Sequence, residues 1–113
     1  MNTLKTSAEY CMHQLELIGF SVKKANNIIL YIEAERHLKG LYTSMTSVLL
    51  NEQELHPDTP NSACFYYETA HFNLKFALQI MNKKELNSEN RCRIIGQIVN
   101  AYRHLKKCLK CYT

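Results

Sequence analysis

The stretch SACFYYETAHFNLKFALQIMN, Ser62 to Asn82, decides how this chain folds. Two apolar stripes run through it. One is Ala63, Tyr67, Ala70, Leu74, Ala77, Leu78 and Met81; the other is Phe65, Phe72, Phe76 and Ile80. Residues three, four and seven apart share a face of an α-helix, so the spacing predicts a helix over 62–82. The polar remainder is narrow: Glu68, Asn73, Lys75 and Gln79. A helix apolar around most of its circumference is either central in its bundle or shared with a partner. A small bundle covers only part of one helix. Phe65, Phe72, Phe76 and Ile80 are therefore expected to form a partner-binding face, met by another protein or by a second copy of the chain in a homodimer. Tyr66 and Tyr67 sit beside Phe65, and tyrosine suits both interfaces and bundle cores.

Immediately upstream, His56-Pro57-Asp58-Thr59-Pro60 cannot continue a helix, because two prolines fix φ and remove backbone donors. Asn61 or Ser62 is the expected cap of the helix that follows. Before the break, Leu41, Met45, Val48 and Leu49 recur at helical spacing and predict a helix at about 41–54. Lys39-Gly40 either separates it from an earlier helix over 22–38 or only kinks a longer one. The earlier helix is read from Val22, Ala25, Ile28, Ile29 and Ile32, with Ser21 as its cap. Thr6 to Glu9 has capping-box form, Ala8, Cys11, Leu15 and Ile18 follow at helical spacing, and Gly19 fits a helix end, which gives a helix over 7–18.

Downstream, Asn87 or Ser88 caps a last helix over 89–111. Its stripe is Ile95, Ile98, Tyr102, Leu105, Leu109 and Tyr112, widened by Ile94 and Val99. No strand-like alternation occurs. The expected fold is all-α, an antiparallel bundle of four to five helices in a single domain, 1–113.

Charge is distributed unevenly. Residues 1–82 carry 6 basic and 8 acidic side chains, whereas 83–113 carry 8 basic and 2 acidic, and no acid follows Glu89. Arg103, Lys106, Lys107 and Lys110 form a basic patch beside the apolar stripe of the last helix. Such a patch favours nucleic acid or another acidic surface. Lys106, Lys107 and Lys110 also complement the negative end of the helix dipole. That explanation does not reach Arg91 and Arg93, near the start of the helix.

His56-Pro57-Asp58 resembles the signature tripeptide of J-domain co-chaperones, which likewise lies between two helices. Membership would imply stimulation of an Hsp70 ATPase by these three residues. J-domains place a Lys/Arg-rich helix before the tripeptide, whereas 41–55 holds no Lys or Arg and does hold Glu52 and Glu54. The segment is read as a Pro-Asp turn that ends a helix.

Cys108-x-x-Cys111, with His104, puts three possible ligands on one helical face. Zinc takes four, and a second pair is missing, so no metal is expected. The C-terminal end of a helix also raises a thiol pKa, which argues against a redox role. Cys11, Cys64 and Cys92 sit among apolar neighbours and read as core filler. Five cysteines and a polar Met1–Tyr10 give neither an even disulfide set nor a signal peptide, so the cytoplasm is the expected compartment.

With 113 residues, 46% of them hydrophobic, the chain can bury a core and is no disordered segment. Three glycines exclude phosphate-cradling Gly-rich loops, and no apolar run approaches the ~20 residues of a membrane span. The expected function is non-enzymatic. The chain reads as a small adaptor, inhibitor or immunity-type bundle that binds protein through an apolar helix face, without cofactor or membrane. Nucleic-acid binding through the basic helix is the alternative.

Overall fold

Apolar residues at helical spacing generate four helices in the computed structural model, which describes residues 3–55 and 60–112. They are α1 (Thr3–Lys24), α2 (Ile28–Leu55), α3 (Asn61–Met81) and α4 (Ser88–Lys110). Among the described residues there is no strand. The helices form a ring: α1 packs on α2 and α4, α3 packs on α2 and α4, and α1 meets α3 only slightly across the middle. The envelope is 45 × 21 × 18 Å. Its long dimension matches the roughly 42 Å expected of a 28-residue helix such as α2.

Four helices replace the four to five expected, because Gly40 neither breaks nor separates the second one. Leu38, Leu41 and Met45 are buried on both sides of it, so one continuous core-facing stripe holds α2 helical through the glycine. That burial outweighs the ~1 kcal/mol propensity cost of an interior glycine. Gly19 is likewise interior to α1, and a Cβ there would stand in ordinary contact, 3.5 Å, with Ile98 Cγ2. Thr6 and Ser21, expected as caps, also lie inside α1, which begins early enough to bury Leu4 and runs on to bury Val22.

The true start of α2 is Asn27, whose Oδ1 accepts from the Leu30 backbone N–H at 2.9 Å. Moving the start changes the stripe. Ile28 and Ile29, expected inside, are exposed, and Tyr31, Ala34 and Leu38 point inward instead. Pro60, rather than Asn61 or Ser62, is the N-cap of α3, and its carbonyl accepts from Cys64 N–H at 3.2 Å. Asn87 caps α4 as its type suggests, accepting from Asn90 N–H at 2.8 Å.

Contacts between helices fix their register. Arg91, at the start of α4, donates from Nη1 to the carbonyls of Val22 (2.8 Å) and Lys23 (2.9 Å), at the end of α1. Further along, Tyr102 donates to Glu16 Oε1 at 3.0 Å. Arg91 thus satisfies carbonyls that the end of α1 leaves without helical donors. Its position near the start of α4 is a matter of the neighbouring helix, not of its own. Across the middle, Ser7 of α1 and Tyr67 of α3 share a hydrogen bond of 2.7 Å, which lets a fully buried phenol sit in the core.

Candidate docking surface

The two stripes of α3 meet different fates. Ala63, Tyr67, Ala70, Leu74, Ala77 and Met81 are buried against the other helices. Phe65, Phe72 and Phe76 are 60%, 52% and 41% exposed and form one row on the outer face. The rings of Phe72 and Phe76 meet edge to face, with centroids 4.9 Å apart. Ile80 departs from this row: at 7% exposure it belongs to the core and contributes only the floor of the groove beside it.

That groove, of about 370 Å3, runs between α3 and α4. Phe76, Ile80 and Lys83 form one side and Arg93, Gly96 and Asn100 the other. Gly96 leaves its wall low, since a Cβ there would meet nothing within 4 Å. Asn100 continues into a second concavity lined by Arg103, His104, Lys106, Lys107 and Lys110. The four basic residues singled out in the sequence are therefore brought together, in a concavity that adjoins the α3–α4 groove through Asn100. Lys107 Nζ stands 5.8 Å from the ring centroid of Tyr66, which links the basic side to the start of α3. Lower in the seam, the Asn73 amide joins the two helices. It donates to Gln97 Oε1 at 3.2 Å, and its Oδ1 lies 2.9 Å from His104 Nδ1.

A second groove, of about 400 Å3 and more apolar, lies between α1 and α4, lined by Leu15, Gly19, Phe20, Ile95, Ile98 and Val99. Phe20 is exposed there, with Lys24 Nζ 4.2 Å over its ring. Sequence reasoning missed this feature because it ended the first helix at Gly19. The signal that could have found it is Phe20 itself, one residue beyond a glycine in a run that never loses helical character.

Polar clusters join neighbouring helices. His71 of α3 stacks on Tyr42 of α2 with centroids 4.1 Å apart and planes 9° from parallel. Thr46 Oγ1 donates to the Tyr42 carbonyl at 3.0 Å and lies 2.7 Å from His71 Nε2. Burial pushes the His71 pKa below its ordinary value, so its ring is neutral near pH 7. Burial pushes the Cys11 thiol and the Tyr67 phenol up, which leaves both protonated and the thiol a poor nucleophile. The five cysteines are thiols. Cys11 and Cys108 are buried; of the other two expected in the core, Cys64 is half-buried and Cys92 is exposed, two positions from both Asn90 and Ile94 of the core-facing stripe of α4.

His104 turns toward Asn73 while Cys108 is buried and Cys111 Sγ donates to the Lys107 carbonyl, so these three do not converge. Among the described residues no group of three or more His, Cys, Asp or Glu is placed to hold a metal ion. No helix among them is long and apolar enough to cross a membrane. His56, Pro57 and Asp58 lie outside the described residues.

Comparison of the chain with protein-family models, with curated proteins and with solved structures gives no match. The chemistry of the surface is therefore what defines a class: a helical bundle with an aromatic row and a basic wall on one side.

Proposed function

We propose that this chain is a non-enzymatic protein-binding module, of the adaptor, inhibitor or immunity-type kind, which docks on a partner through the outer face of α3. The observation that carries the reading is the exposure of Phe65, Phe72 and Phe76 in a single row. Three aromatic rings in line are a costlier surface to leave wet than isolated apolar residues, and aromatic side chains dominate the energetics of protein interfaces. The reading takes the four helices as antiparallel to their ring neighbours. That arrangement is supported by the pairing of Arg91 with Val22 and of Tyr102 with Glu16, in which positions climb on one helix as they fall on the other. It places the module in the cytoplasm, which suits an odd set of thiols.

The test is affinity capture from host lysate with the wild-type chain and with a Phe65→Ser, Phe72→Ser, Phe76→Ser variant, both checked for equal thermal stability. Specific proteins retained by the wild type and lost by the variant are expected. Identical captured sets would overturn the reading.

A second reading rests on the concavity that gathers Arg103, Lys106 and Lys107. Phosphates bound there would be released steeply by salt. Fluorescence anisotropy with single-stranded RNA and duplex DNA, at low and moderate salt, decides it. Binding abolished by Arg103→Glu with Lys107→Glu would favour this reading over the first, and no binding at low salt would remove it.

A further inference from the structure

We infer that the α3–α4 groove takes an acidic amphipathic helix from a partner protein, an inference that rests on the protein-binding reading and adds the chemistry of what is bound. The two walls ask for different things from the same ligand. The α3 wall is apolar where Phe76 and Ile80 line the groove, and the exposed row continues beyond it through Phe72, whose ring meets that of Phe76, to Phe65. The α4 side is basic: Arg93 lines the groove with Lys83 of the α3 side, and beyond Asn100 the adjoining concavity gathers Arg103, Lys106 and Lys107. No acidic residue occurs after Glu89 to neutralise that wall from within its own helix.

The dimensions suit a helix. At 1.5 Å per residue, Phe65 to Phe76 spans about 16 Å and Arg93 to Lys107 about 21 Å, or three to four turns of a helix laid along the seam. Gly96 keeps the basic wall low at the point where such a helix must approach most closely. A ligand with large apolar residues on one stripe and carboxylates along its flank satisfies both walls together. This is the helix-in-groove mode, with charge fixing orientation and partner choice.

Nucleic acid fits this surface less well. A base needs an open aromatic face to stack on. Phe72 has Lys75 Nζ 5.7 Å from its ring centroid and Phe76 against it edge to face. A second copy of the same face would double the positive charge along the seam rather than neutralise it.

The experiment is selection of a display library of random peptides, each about sixteen residues long, on the immobilised full chain. Selected peptides are then measured by anisotropy against wild type and three folded variants: Arg93→Glu with Lys107→Glu, Phe72→Ser with Phe76→Ser, and Lys39→Glu on α2 as control. Enriched peptides are expected to be net acidic, with large apolar residues at helical spacing. They should bind at least about tenfold more weakly to the first two variants and unchanged to the control. No enrichment, enrichment of neutral or basic peptides, or displacement of the peptides by oligo-dT at moderate salt would overturn the inference. Loss of binding in the phenylalanine variant alone would overturn the acidic ligand while leaving the protein-binding reading intact. Retention on both variants would overturn the two together. Concentration-dependent dimerisation abolished by Phe72→Ser with Phe76→Ser would replace the partner helix by a second copy.

Discussion

Arg91 shows how much a single side chain can depend on a neighbour distant in sequence. Its guanidinium closes the end of α1 by donating to two main-chain carbonyls, and charge-assisted bonds of this kind are stronger than neutral ones. Arg91→Met should lower stability by about 1–2 kcal/mol in urea unfolding. Arg91→Lys should recover part of the loss, since an ammonium lacks the guanidinium's spread of donors. His71 makes a pH-dependent contribution. Its pKa is lowered in the folded state by burial, so the unfolded chain takes up the proton first as pH falls. The stability tied to the neutral ring is complete above the unfolded value near 6.5 and declines as pH drops through it toward the lowered folded value. Melting at pH 7.5 and 5.5 should show a loss in the wild type and a smaller one in His71→Gln. Equal losses would remove His71 as the cause.

At the scale of the helix, α2 is where sequence reasoning and structure part most clearly. Gly40 looks like punctuation because glycine is a poor helix former. Local propensity carries no information about the partners that Leu38, Leu41 and Met45 find on either side, and those partners decide. A Cβ at position 40 would meet nothing within 4 Å. Gly40→Ala should therefore stabilise the protein by about 0.5–1 kcal/mol, visible as a raised melting temperature. A destabilising result would mean that the helix bends at that point. α3 was easier to read. Its apolar stripes run the length of the helix, and the first lies inward as its spacing requires, except that Leu78 is only partly buried. Ile80 was assigned with the phenylalanines on spacing alone. It sits closer to the α4 seam than they do, and α4 covers it.

At the scale of the whole molecule, the all-helical fold was legible because apolar periodicity is a local signal. What lay across the bundle was not. The α1–α4 groove, the Arg91 cap and the alignment of the basic wall with the aromatic row depend on which helices become neighbours, and neighbourhood is set by packing rather than by any short segment. The basic residues and the phenylalanines were each visible in the sequence as separate features, and packing α4 on α3 makes them one surface. Its aromatic part is examined by site-specific photocrosslinking in the host, with p-benzoylphenylalanine placed at Phe72 and, in a separate strain, at Ile29, an apolar and even more exposed position on α2. A discrete protein adduct from position 72 and none from position 29 is the predicted result. Adducts from position 29 with none from position 72 would contradict the assignment of α3 as the docking face.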